Sequence, residues 1–436
     1  MMSKNYETEL YKRIHNELNK IAIIDCHEHL QRERELPKGD DIHFGRLFLH
    51  YIDSDFVSAG MSVADMEKVK TDSSLTPKDR WKFLEPWYRK VWNTGYSECL
   101  RIAIQDIYGI EDFSMNTVDK LTETMRKQIK PGFTRKIFDK AGIDFALQNP
   151  FVSTEIFVSD FNFDCFICDM VSAFTYFPIK AFAEQTNIEI LCLDDYLKVI
   201  DFYFKRDSRY ASALKIGCAY ERTLFWEDVP KSAVERTFNR LLAFEDRPDR
   251  KHIKALEDFI LHYLCRKCGE YGIRMKFHTG FQAGNGNIIT NSRAALMANL
   301  FMKYPKTGFD IYHISYPYQE ELVTLAKNFP NVTIDFCWIW AINPAAARRT
   351  LSDMLDAVPA NKIHGFGGDY IFVEGTYGHA VITKREIARV LCEKVEEGRF
   401  SEDYAVKVGQ MLLRDNPIEN FGLEQRRMAF QERAGE

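Results

Sequence analysis

Ile21-Ala-Ile-Ile-Asp25-Cys-His27-Glu-His29 is the stretch whose reading decides the fold. Its apolar opening predicts a short strand, Ile21–Asp25. That strand runs straight into an acid, a thiol and two imidazoles. A doubly wound open sheet would need a glycine-rich turn at this point. The chain holds no GxGxxG, no GxxxxGK[ST] and no GxSxG motif. Further strands are expected at Ile143–Leu147, Phe163–Cys168, Ala213–Ala219, Ile273–His278, Phe309–His313, Val332–Trp338 and Ile363–Asp369. Helical runs separate most of them: Leu193–Phe204, His252–Glu270, Ser292–Lys303, Gln319–Asn328, Ala345–Ala357 and Thr383–Glu397. Eight strands alternating with crossover helices imply a parallel sheet. Over this length they favour a closed (β/α)8 TIM barrel. Residues 30–131, rich in Trp, Tyr and charge, read as a mostly helical insertion after the first strand. Trp81, Trp87, Tyr88 and Trp92 are candidates to anchor it. Residues 1–436 are thus expected to form a single barrel domain carrying that insert.

Composition narrows the function classes. Of 436 residues, 46% are apolar and 28% charged, the balance of a globular protein. Fifty-eight Lys and Arg against 63 Asp and Glu give a formal charge of −5, which argues against a nucleic-acid binder. No apolar run approaches the roughly 18 residues of a membrane span. Residues Met1–Lys20 lack the apolar core of a secretory signal and instead place Tyr6, Leu10, Ile14 and Leu18 at helical spacing. Ten cysteines without such a signal suggest reduced thiols and a cytoplasmic protein. Cys165/Cys168 and Cys265/Cys268 have CxxC spacing, but a strand and a helix hold them, so buried thiols are the preferred reading over a zinc site.

The chemistry gathers at expected strand ends. Along a strand, residues two apart share a face, so Ile23, Asp25, His27 and His29 are in phase. The fifth strand ends at His278, with Arg274, Lys276 and His278 on one face and Met275 and Phe277 on the other. The sixth ends at His313. The eighth ends at Asp369, with Gly365 and Gly367 below it on the same face. Four of eight strand ends therefore present His or Asp. This donor density suits a divalent transition metal, Zn²⁺ first and Mn²⁺ second. Such an ion acidifies bound water to a pKa of roughly 7. Asp369 could bind metal and accept the water proton, and His313 could polarise a carbonyl or shuttle a proton.

Asp25-Cys-His27-Glu-His29-Leu30 resembles the signature first strand of the amidohydrolase superfamily. His278, His313 and Asp369 stand where that superfamily places its fifth-, sixth- and eighth-strand residues. Phe366-Gly-Gly-Asp369-Tyr370 and Arg414-Asp-Asn-Pro-Ile-Glu-Asn-Phe-Gly-Leu423 are similar to it as well. Two branches come nearest. Lys215-Ile-Gly-Cys-Ala-Tyr-Glu-Arg222 and the stretch from Gly368 resemble the amidohydrolase domain of FluG-type proteins. The helical insert and Val390-Leu-Cys-Glu-Lys-Val-Glu-Glu-Gly398 resemble uronate isomerases. The resemblance implies a barrel, a divalent metal and, in most members, hydrolysis. It also implies one ion held by His27, His29, His278 and Asp369, with His313 mainly catalytic; two ions would require carboxylation of Lys215.

The function expected is a metal-dependent hydrolase in which activated water attacks a carbonyl of a small polar, carboxylate-bearing substrate. The alternatives are a uronate-isomerase-like isomerase or a decarboxylase on the same frame, then a non-catalytic binding module. Arg222, Lys215 and Trp338 are candidates for substrate binding, with either Trp338 or Trp340 packed in the core. His364 is out of phase with Asp369 and reads as structural; Glu374 and His379 could reach the mouth. His43, His50, His252 and His262 have no assigned partner. Partners are a small molecule and, through the aromatic insert, a second copy of the chain.

Overall fold

The computed structural model describes residues 8–31, 33–149, 162–164, 183–184, 186–243 and 249–434. The chain divides into two compact units: Met1–Pro150 with Gln282–Asn287 and Asp335–Pro417, and Phe151–Phe281 with Ile288–Ile334 and Ile418–Glu436.

In the first unit, helix Glu9–Asn19 starts where the Thr8 hydroxyl accepts the Tyr11 N–H, and it buries Ile14 and Leu18. The first strand, β1, is Ile23–Glu28, two residues later than expected, and all six residues are buried. Burial on both faces is the mark of a strand within a covered parallel sheet. It pairs in parallel with β2, Ile143–Gln148. On its other side runs the chain that follows β8, Ile363–His364. Cys26 N–H donates to Phe366 O at 3.0 Å, Asp369 N–H to His27 O at 2.8 Å, and His29 N–H to Tyr370 O at 3.0 Å. Beyond it, Phe336 N–H reaches His364 O and Trp338 N–H reaches Gly367 O. Between β1 and β2 lie helices including Pro77–Tyr88, Gly95–Tyr108 and Phe133–Ala141. Helix Val373–Glu396 crosses Gly95–Tyr108 closely; a Cβ at Gly378 would lie 2.3 Å from Cys99 O.

In the second unit, β4 (Ala213–Ile216), β5 (Arg274–Phe277), β6 (Phe309–Ile311) and β7 (Val332–Asp335, of which Asp335 falls in the first unit) follow one another in parallel. The short β3, Asn162–Asp164, precedes them in the chain. Register fixes the two faces of this sheet. Lys215 opposes Lys276, Lys276 opposes Asp310, and Asp310 opposes Thr333, a polar row in which every residue is buried. The alternate rows, Leu214–Met275–Phe309–Val332 and Ile216–Phe277–Ile311–Ile334, are apolar. The alternation read for this strand, with Lys276 on one face and Met275 and Phe277 on the other, is the one observed. Of the expected strand Phe163–Cys168, residues 165–168 lie outside the described residues, as does the first CxxC pair. Cys265 and Cys268 are buried in helix Arg250–Tyr271 as free thiols.

Several strands end earlier than expected, and left-handed residues lie beyond their ends. His313, Ile314 and Ser315 take φ values of 57°, 46° and 53°, Trp338 takes 63° and Asp369 takes 61°. Left-handed conformations at non-glycine residues are held by their surroundings. Three of the residues singled out from sequence therefore stand beyond the strands, on turns.

A candidate metal centre

His27, His29 and Asp369 come together in the first unit. His27 Nε2 lies 3.2 Å from His29 Nε2, and Asp369 Oδ1 lies 3.5 Å and 3.3 Å from the two nitrogens. A tetrahedral ion with bonds of roughly 2.0–2.2 Å spaces its ligand atoms about 3.3–3.6 Å apart. The three donors thus form a triangle of the size one ion requires. His27 is fully buried, and the His29 side chain is 12% exposed, which leaves one edge open. His29 Nδ1 lies 2.6 Å from Asn149 O; donation there puts the proton on Nδ1 and leaves the Nε2 lone pair facing the triangle. A second buried group in this unit, Cys26, Asp335 and His364, is wider, with 3.9 Å between His364 Nδ1 and Asp335 Oδ2.

The strand β1 holds the loop that carries Asp369 by three consecutive amides. Asp25 Oδ1 accepts Gly368 N–H at 2.9 Å, His27 O accepts Asp369 N–H, and Glu28 Oε2 accepts Tyr370 N–H at 2.8 Å. Glu28 Oε1 also accepts the Thr376 hydroxyl at 2.7 Å. Burial, then the Asp25 carboxylate, push the Glu28 carboxyl well above the ordinary range. His379 Nδ1 lies 3.2 Å from Gly368 O, and Glu374 accepts the Tyr108 hydroxyl at 2.6 Å.

Aromatic rings crowd the same unit. Tyr51, at φ 72°, stacks on Trp338 with ring centroids 4.1 Å apart, on His50 at 3.6 Å, and meets Tyr370 edge-on at 5.1 Å. His50 is held down to about 3 by burial, with the Asp369 carboxylate opposing the shift. The sequence reading gives His50 no partner and does not name Tyr51: they lie inside the insert, where neither strand phase nor a motif points to them. Trp340 packs in the core, stacked on Phe336 and donating to Gly365 O.

His278 and His313 come together in the second unit, with His278 Nδ1 3.2 Å from His313 Nε2 and His278 Nε2 3.0 Å from Phe281 O. Lys215 lies mid-strand, 4% exposed, its ammonium 4.1 Å from the centre of the Tyr312 ring. Arg222, a candidate for substrate binding, donates to Glu257 at 3.0 Å and Asp258 at 2.6 Å and lies over the Trp226 ring. Its remaining donors reach Thr223 O and Phe225 O. The guanidinium is committed to the protein's own acids.

Comparison with known proteins adds a partial family match and a fold likeness. Residues 239–423 match the model of the amidohydrolase family. A curated relative, the protein FluG of Emericella nidulans, is 24% identical over 143 residues, which cover 33% of this chain and 16% of that protein. The chain therefore spans a small part of that relative's length. Among solved structures, a uronate isomerase from Thermotoga maritima superposes with a TM-score of 0.79 at 15% identity, covering 97% of this chain and 99% of the other. A glucuronate isomerase from Caulobacter crescentus gives 0.76 at 15% identity over 97% and 95%. A Lactobacillus casei protein provisionally described as a metal-dependent hydrolase gives 0.67 at 16% identity over 95% and 98%. At these identities the likeness speaks for the fold, which is of the (β/α)8 barrel class expected from the strand rhythm. The resemblance to the amidohydrolase superfamily is borne out over residues 239–423, which hold the strand ends at His278, His313 and Asp369.

Proposed function

We propose that this chain is a metal-dependent hydrolase that uses one divalent cation, Zn²⁺ before Mn²⁺, held by His27, His29 and Asp369. The donor triangle of 3.2, 3.3 and 3.5 Å carries the reading. From the sequence resemblance, His278 is proposed as a further ligand and His313 as a proton-transfer group. A cation in that triangle would supply Lewis acidity and an acidified water. Asp369 takes the proton released at the reacting oxygen and returns it to the leaving group. His29, oriented through Asn149 O, keeps its Nε2 turned toward the triangle. The substrate class is a small polar molecule with a carbonyl. Arg222 has no part in this proposal, because its donors are spent on Glu257 and Asp258.

A second reading, isomerisation of a sugar acid, is favoured by the fold likeness to two isomerases over nearly the whole chain. The test is a panel of amides, lactones, uronates and aromatic acids, run in ¹⁸O-labelled water after metal stripping and again after Zn²⁺ or Mn²⁺ is restored. Metal-dependent turnover with label in the product is expected. Uronate turnover without label would replace hydrolysis by isomerisation. Asp369→Asn should keep the fold and lose most turnover; full activity in that variant would refute the role of the carboxylate.

A further inference from the structure

The backbone at Asp369 is unusual, and what holds it there is specific. Asp369 sits at φ 61°, where a non-glycine residue stays only if its surroundings fix it. Its own amide is bound by His27 O, but that bond alone leaves the flanking peptides free to rotate. The flanks are held by side chains of β1: Asp25 takes the amide before it and Glu28 the amide after it. Asp25 Oδ1 also takes the His27 N–H, a bond within β1, whereas the further bond of Glu28 reaches outward. The second oxygen of Glu28 takes the Thr376 hydroxyl, which ties the turn to the first turn of helix Val373–Glu396. Glu28 is fully buried, and Gly368 leaves the space it occupies. On β1 it stands between the two imidazoles His27 and His29.

We propose that Glu28 is the positioning residue of the candidate metal centre: by bridging Tyr370 N–H and Thr376 Oγ1 it sets the turn that aims the Asp369 carboxylate at His27 and His29. The inference rests on the reading of those three residues as metal ligands. Glu28 touches neither metal nor substrate; it acts through the backbone of 368–370. What the task requires is an acceptor for a peptide N–H and a partner for a hydroxyl, held at the same reach. Glutamine meets both needs, since its oxygen can accept from Tyr370 while its amide donates to a hydroxyl that turns to receive it. Methionine fills the space and meets neither.

The probe is Co²⁺, read by its visible absorption and by competition with a chelator for the dissociation constant, on the full chain. Removal of outer partners of metal ligands typically weakens metal binding about 10–100-fold, and Glu28→Met should fall in that range with an altered Co²⁺ spectrum. Glu28→Gln should restore both affinity and spectrum. Thr376→Val, which removes one anchor of the bridge, should fall between them. Far-UV circular dichroism monitors the fold. If Glu28→Met does not fold, the other two variants decide. A Glu28→Met protein with wild-type affinity and spectrum overturns the proposal. So does Glu28→Gln as weak as Glu28→Met, or Thr376→Val indistinguishable from the wild type. A wild-type protein that binds no Co²⁺ refutes the metal reading itself, and the proposal with it, which separates that failure from the others.

Discussion

Gly368→Ala subjects the packing around the candidate metal centre to a steric test whose size can be worked out beforehand. An added Cβ at 368 would stand 1.7 Å from Glu28 Oε1, 2.7 Å from its Cδ and 3.0 Å from Thr376 Cγ2. A relaxed carbon–oxygen contact needs roughly 3.2 Å, so the carboxylate must retreat by about 1.5 Å. That retreat breaks the bonds from Tyr370 N–H at 2.8 Å and the Thr376 hydroxyl at 2.7 Å. Each buried hydrogen-bonding group left without its partner costs about 1–3 kcal/mol, and partial re-pairing recovers some of the loss, so we expect a destabilisation of about 3 kcal/mol. Gly368 is not among the left-handed glycines, so no φ penalty is mixed into the figure. Urea unfolding followed by circular dichroism reads the change. Gly217→Ala is the matched control: nothing lies within 4 Å of its added Cβ, and it should shift stability by no more than about 0.5 kcal/mol. If Gly368→Ala unfolds together with the control, the Glu28 carboxylate is not wedged where it is described, and the positioning argument loses its base.

Arg222→Ala should cost about 3–5 kcal/mol by the same assay, because it leaves two acids, Glu257 and Asp258, buried beside a lost cation. Arg250 and Lys254, which also reach those acids, hold the loss toward the lower end. Arg222→Lys should recover only part of it, having no planar fork. Lys384 gives a pH test. Burial lowers its pKa from 10.5 to about 8, and its ammonium donates to Ala141 O. The folded state then holds the proton less tightly than the unfolded state, so stability is reduced below pH 8 and rises between about pH 8 and 10.5. The full difference is on the order of 3 kcal/mol, so Lys384→Met should raise stability at pH 7 and lose that advantage near pH 10.5. An advantage that does not change with pH would refute the burial account.

Much of the fold was legible because it is written in periodicity. The polar row Lys215–Lys276–Asp310–Thr333 and the apolar rows beside it are what a two-residue alternation must give once strands pair in parallel. Helix Gln319–Asn328 has the bounds read from sequence. Strand ends were legible only to within a few residues. The expected β8 runs to Asp369, and the observed one stops at His364. Apolar alternation continues through Phe366 and says nothing of the left-handed turn that follows, since that turn is fixed by side chains of β1, far away in sequence.

The same distinction explains which parts of the site could be read. His27 and His29 announce themselves because spacing of two on one strand already forces their rings to the same side. Asp369 joined them through its place at a strand end, a guess about topology. Glu28 is different in kind. By strand phase it should face away from His27 and His29, and a residue out of phase with the ligands is ordinarily set aside. It matters because the register of β1 is irregular between Asp25 and Glu28 and the Glu28 carboxyl meets a peptide N–H and a hydroxyl from residues 370 and 376. Phase tells which side a residue takes, and only the folded chain tells what waits there. Arg222 teaches the converse. A basic residue just past a strand looked available for an anion, but Glu257 and Asp258, on helix Arg250–Tyr271, had already claimed it. Availability of a charge is a property of its neighbours, so a positioning acid and a committed arginine are the two errors that a reading of strand ends is bound to make.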